Sequence, residues 1–185
     1  MPDPTSAFAT NGRRLLWAGL LIAASLAFTL GFACAVPFAA FGAVAAMTLP
    51  RRDALLLILA VWLVNQIVGF AVLHYPWDAA TLAWSAIFAG VAVASTLAAQ
   101  AAVGRWGIIQ TALASFAAAF VVYEGALYIV SVTVMGGTEI YTPGGVARIL
   151  EINAAAFAGL WAASLLIAAG ERRFGAIPGR AARTI

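Results

Sequence analysis

The sequence predicts an all-α fold: a polytopic membrane bundle of six transmembrane helices with both termini cytoplasmic. Three observations carry that expectation. First, 64% of the 185 residues are hydrophobic and only 9% are charged, with a mean hydropathy of +1.00. A soluble domain of this length leaves too much surface exposed to hide so much apolar material. Second, polar connections divide the chain into apolar runs. All but one are long enough to cross a hydrocarbon core of about 30 Å at a rise of about 1.5 Å per residue. Third, the arginines sort by side. With six spans, Arg13, Arg14, Arg51, Arg52, Arg105, Arg172, Arg173, Arg180 and Arg183 share one side, and only Arg148 lies on the other. The positive-inside rule makes the crowded side cytoplasmic, the inner membrane of a cell being the natural setting. Fusing the first two runs into one span would separate Arg13-Arg14 from Arg51-Arg52.

Residues 1–12 are polar and carry two prolines, the composition of a disordered cytoplasmic tail. The transmembrane domain is expected over 13–171, followed by a basic tail over 172–185. The first run, Leu15 to Phe32, has Gly19, Ala23, Ala27 and Gly31 at four-residue spacing. That spacing makes a flat stripe against which another helix can dock, although alanine is common enough here to produce such ladders by chance. The arginine pair, the apolar core and Ala33-Cys34-Ala35 also fit a signal peptide; the length of the core favours a span. Pro37 breaks the helix. The second run, Pro37 to Leu49, is short, which points to tilt or local thinning.

The third run, Ala54 to Leu73, carries Asn65-Gln66 at mid-length, suited to interhelical hydrogen bonds or to a cavity. His74-Tyr75-Pro76-Trp77-Asp78 reads as an interfacial aromatic belt. The fourth run, Ala79 to Val103, contains Trp84 and a small-residue stripe of Ala86, Gly90, Ala94 and Ala98. The fifth is Trp106 to Val134. The connection Met135 to Gly145 is rich in glycine and proline, and the sixth run is Val146 to Ala169.

Several chemistries are excluded. The chain has no lysine, so it cannot hold a retinal Schiff base. His74 is its only histidine and Cys34 its only cysteine, so one chain supplies no bis-histidine haem site, multi-histidine metal site or disulfide. HExxH, GxSxG and P-loop motifs are missing. The cytoplasmic acids Asp53 and Glu171 are too few for metal-dependent headgroup transfer. No enzyme activity, cofactor or metal is expected. The net charge of +3 comes from loop arginines and reports topology, not nucleic-acid binding.

Glu124 is the exception within an apolar run. A charge in hydrocarbon costs a few kcal/mol even on lenient scales, about 2.5–3.5 for an acid at mid-span. It therefore faces protein, water or ligand. At about 100° per residue, Gln110, Ala117, Glu124, Tyr128 and Ser131 share a stripe, which should look into the bundle. The same register brings Trp84, Glu151 and Asn153 to the depth of Glu124, beneath His74, Trp77, Glu139 and Tyr141. Acids with aromatics suit a small cationic or amine-bearing ligand. The competing reading has Glu124 protonated, or paired with Arg148 or Asn153.

In size, span number and orientation the chain resembles the substrate-binding S-component of energy-coupling factor (ECF) type vitamin transporters. The similarity lies in the Ala23–Ala27 ladder, the broken helix pair around Gly31–Pro37, and outer loops above polar residues of helices four to six. The resemblance implies a vitamin-like ligand near the outer face. It implies substrate contacts from Trp84, Glu124, Tyr128, Glu151, Asn153, His74 and Trp77, and docking of a membrane energising subunit on Gly19, Ala23 and Ala27. A non-catalytic accessory subunit of a larger membrane complex fits the small-residue faces equally well. Cys34 reads either as a small apolar filler or as a soft ligand to a metal-bearing substrate such as a corrinoid.

Overall fold

The structure, a computed structural model, describes residues 17–28, 36–104 and 106–174. The expected tail over 1–12, Gly31, Cys34, Arg105 and most of the expected basic tail lie outside the described residues. Within them the chain is helical. The elements are α1 (Trp17–Phe28), α2 (Phe38–Thr48), α3 (Arg51–Ala71), α4 (Ala79–Ala102), α5 (Ile108–Val130) and α6 (Pro143–Phe174). A π-helical turn, Ser131–Met135, continues α5, and a single 3-10 turn, Thr138–Ile140, precedes α6. Among the described residues four helices are long and apolar enough to cross a bilayer: α3, α4, α5 with its π turn, and α6. The chain is thus a multi-pass membrane protein.

The short helix α2 is the hub. It packs against α3, α4, α5 and α6, and nine of its eleven residues, Phe38 through Ala46, are buried. An apolar stretch with no polar face belongs in the centre of a bundle. At about 1.5 Å per residue, α2 is about 16 Å long, roughly half the hydrocarbon thickness. Its shortness therefore does not arise from tilt in the lipid. The helix stops in the interior, where Pro37 ends it. Its small residues permit close packing, most clearly at Gly42. A Cβ there would lie 2.6 Å from Thr96 Oγ1 and 3.4 Å from Thr96 Cα.

α1 runs antiparallel to α2. The Trp17 indole N–H donates to Thr48 Oγ1 at 3.0 Å, and the Phe28 ring meets Phe41 edge-on at 6.2 Å. The inward face of α1 is Trp17, Leu21 and Ser25. Gly19, Ala23 and Ala27 are exposed on the opposite side.

α3 is tied to α4 by a polar chain at mid-length. Trp62 Nε1 donates to the Ser85 carbonyl at 2.9 Å, Ser85 Oγ to Gln66 Oε1 at 2.6 Å, and Gln66 Nε2 to Asn65 Oδ1 at 3.2 Å. Asn65-Gln66 is therefore a helix–helix link. The stripe expected on α4 is not its packing face. Ala86 and Gly90 are exposed, whereas Val91, Ala92, Ser95, Thr96 and Ala99 are buried. Interior and lipid are both apolar, so a row of small residues does not report which way it faces.

α6 starts three residues earlier than expected. Pro143 needs no amide donor in a first turn, and Thr142 caps the helix by accepting the Gly145 N–H on Oγ1 at 3.1 Å. Before it, Gly136 and Gly137 take φ of 75° and 84°, a region that glycine enters without strain. They let the chain leave the π turn and double back over the end of the bundle.

Candidate functional site

Beyond the inner end of α2 lies a cavity of about 300 Å³. Four elements wall it: Val36 before α2, Phe88 of α4, Tyr123, Glu124 and Leu127 of α5, and Ile149, Ile152 and Asn153 of α6. Ile140 and Tyr141, from the turn before α6, also border it. Two aromatic contacts made by α5 bracket this space. At one end Phe116 stacks on Phe157 of α6, centroids 4.8 Å apart. At the other Tyr128 meets Tyr141 edge-on at 5.1 Å. Phe116 and Tyr128 are twelve residues apart, about 18 Å along α5.

Glu124 is the chemically distinctive group. It is 9% exposed, and neither carboxyl oxygen has a hydrogen-bond partner. Arg148, the in-chain cation proposed as its partner, is exposed and does not line the cavity. The expected pairing of Glu124 with Arg148 or Asn153 is thus not made. Buried charges are ordinarily paired, so this group stands apart from the rest of the interior.

Asn153 lines the cavity, but both ends of its amide are engaged. Its Oδ1 accepts the Ala40 N–H at 3.3 Å, and its Nδ2 donates to the Ile149 carbonyl at 3.0 Å. Pro37 offers α2 no side-chain cap, so α6 satisfies one first-turn donor of α2 from 113 residues away. Asn153 is a structural cap presented at the cavity wall.

The remaining expected contacts divide. Trp84 does not line the cavity; it backs Phe88 at 5.9 Å, and Phe88 in turn meets Phe38 at 6.4 Å. Tyr128 is 49% exposed and braces Tyr141 from outside. Glu151 is exposed on α6, away from the cavity. His74 and Trp77 belong to the α3–α4 connection and are exposed, with Trp77 packed on Phe70 at 4.4 Å. The structure thus gathers Glu124 and Asn153 and leaves Trp84, Tyr128, Glu151, His74 and Trp77 off the wall.

The stripe assigned to α5 is displaced for the same reason as on α4. Glu124 and Ser131 of that stripe are buried, whereas Gln110, Ala117 and Tyr128 are exposed. The buried face is Ala112, Ser115, Ala119, Tyr123, Glu124 and Leu127, about a third of a turn away at 100° per residue. Glu124 lies at the edge of that face, turned toward α6. Tyr123, at its centre, was missed, as were Phe88 and the cavity role of Tyr141. Tyr123 packs on Phe38 at 6.4 Å. Burial pushes the Tyr141 phenol above its ordinary value, a hydrogen bond with the Ser131 side chain opposes the shift, and the Glu124 carboxyl adds to it. The signal that could have found Tyr123 is adjacency: a tyrosine next to an in-span acid, on a face lined by alanine and serine.

Among the described residues no three metal-ligating side chains come together. Comparison with protein-family models, curated proteins and solved structures finds no match to this chain.

Proposed function

We propose that this protein binds a small molecule in the cavity beside Glu124 and serves its uptake across the cytoplasmic membrane, in the manner of an ECF-type S-component. One observation carries the reading: a buried carboxyl, with both oxygens unpartnered, on the wall of a cavity of about 300 Å³. That volume is at the lower end of ordinary ligand pockets, about 300–1,000 Å³, and its lining combines apolar and aromatic side chains with few polar groups, as such pockets do. A structural acid would have a partner; an acid kept for a ligand does not. In this proposal the chain has six spans and cytoplasmic termini, the cavity opens toward the outer face, and no catalytic step or cofactor is involved.

The exposed small-residue face of α1 supports a membrane partner, either an energising subunit or, in the second reading, the complex of which this chain is an accessory subunit. The readings separate on the cavity. Native mass spectrometry of the purified protein should detect a small molecule that Leu127→Trp, which fills the cavity, displaces. If wild type and Leu127→Trp carry the same bound species, or neither carries any and uptake is unaffected, the accessory-subunit reading takes over. Fusing a reporter active only in the cytoplasm tests orientation. Signal is expected at the C-terminus and none within Thr138–Pro143.

A further inference from the structure

We infer that the cavity selects a monocation: a single ammonium on a compact apolar or aromatic body, with no anionic group entering alongside it. The inference rests on the ligand-binding reading above and names the class of ligand that the same site would take. Four features lead to it.

The first is the charge inventory of the wall. Among the described residues Glu124 is the only acid lining the cavity, and no arginine lines it; the chain has no lysine. One buried carboxyl without a partner is best met by one positive group, beside which it ionises. The second is the inner end of α2, which directs the positive end of a helix dipole toward the cavity. That end is worth about half an elementary charge, so it attenuates a full carboxylate without reversing it. Nor can it hold an anion well, because its donors are largely taken. Phe38 N–H bonds to the Val36 carbonyl at 2.8 Å, and Ala40 N–H to Asn153 Oδ1. A zwitterion would therefore bring a carboxylate with nothing to receive it, at the cost of an unpaired buried charge.

The third feature is the aromatic wall. Phe88, Tyr123 and Tyr141 all border the cavity, and ring faces attract ammonium groups and stack on flat apolar bodies. The fourth is size. At about 30 Å³ per water in the liquid, 300 Å³ holds roughly ten water-sized groups. That accommodates an aryl-alkylamine or the ammonium end of a lipid headgroup. The shared chemistry is the ammonium; the sources differ in whether the body arrives from water or from the bilayer.

The test uses the whole chain in detergent with Cys34→Ser as background. A cysteine is introduced on the wall by Leu127→Cys and, separately, by Ile152→Cys, so that a folding failure of one leaves the other. Labelling rates are measured with aminoethyl (cationic) and sulfonatoethyl (anionic) methanethiosulfonate, each normalised to its rate with a free thiol in solution. The expected result is a cation preference of at least tenfold that collapses in Glu124→Gln. Equal rates, an anion preference, or a ratio unchanged in Glu124→Gln would overturn the monocation inference while leaving a solute-accessible cavity. No labelling at either position by either reagent would overturn the ligand-binding reading as well. The source is then separated by protection. Either 2-phenylethylamine or ethanolamine-headgroup lipid in mixed micelles should slow the cationic reagent, while 2-phenylethanol should not. Slowing by neither amine, or by the alcohol equally, counts against the inference.

Discussion

Replacing Glu124 with leucine should stabilise the empty protein. The side chain is 9% exposed and both its oxygens lack partners. A buried polar group left unsatisfied costs about 1–3 kcal/mol, and more if charged. Leucine occupies nearly the same volume, extends the apolar wall that Leu127 and Ile152 already form, and leaves nothing to desolvate. Glu124→Leu should therefore gain about 1–3 kcal/mol. For a chain of 150–250 residues, a change of 1 kcal/mol moves the melting temperature by about 2–4 °C. The expected rise is thus about 2–12 °C, measured by differential scanning fluorimetry on ligand-free protein in detergent. Glu139→Gln, on the exposed 3-10 turn, is the control and should change stability by no more than about 0.5 kcal/mol. A fall in melting temperature for Glu124→Leu would mean that the carboxyl holds helices together, and the reasoning from its isolation would be refuted. A gain in stability with loss of binding is the trade expected of a group retained for function.

Gly42→Ala should destabilise by about 1–3 kcal/mol through overpacking against α4, and adding Thr96→Ala should recover most of the loss, because the closest contact is Thr96 Oγ1; a melting-temperature double-mutant cycle checks this. Asn153→Ala should cost about 1–3 kcal/mol by orphaning the Ala40 N–H, with the effect read as faster hydrogen exchange at the start of α2. Asp78 caps α4 by accepting the Thr81 N–H at 2.7 Å, which holds its carboxyl below the ordinary 3.8. A depressed carboxyl contributes stability above its unfolded value and loses it as pH falls through its folded value. Wild type should accordingly lose a small increment of stability as the pH drops below that range, and Asp78→Asn should lack that part of the acid dependence in a pH series of thermal melts.

The helical class was legible because hydropathy and turn residues act locally. Pro50, Asp78 and Gly104 punctuate the chain where the structure turns. Glu124 was legible for a related reason: an acid inside an apolar run is expensive wherever it faces, so its presence alone marks it. Facing was not legible. In a bundle surrounded by lipid, the interior and exterior of α4 and α5 are both apolar, so the periodicity that orients a soluble helix carries little information. Three of the five residues of the stripe read on α5, Gln110, Ala117 and Tyr128, accordingly lie on an exposed face. The role of α2 was hidden by length, since a short apolar run reads as a poor span until its neighbours show that it is a core. The cap from Asn153 to Ala40 was hidden by sequence separation. Trp84 and Glu151 have the right depth along their helices, but depth fixes only one of the two coordinates that place a side chain on a cavity wall.

The termination of α2 at Pro37 divides the bundle into two storeys. In one, a central helix fills the space that its neighbours surround. In the other, among the described residues, Phe88 of α4, side chains of α5 and α6, and the turn before α6 surround the cavity. A further helical turn at this end would add about 5.4 Å beside Val36, where the cavity begins, so the position of this proline bears on the room that the proposed ligand would have. Relatives of this architecture could change the size of what they hold by moving that stop, while the wall residues and the packing of the filled storey stayed as they are.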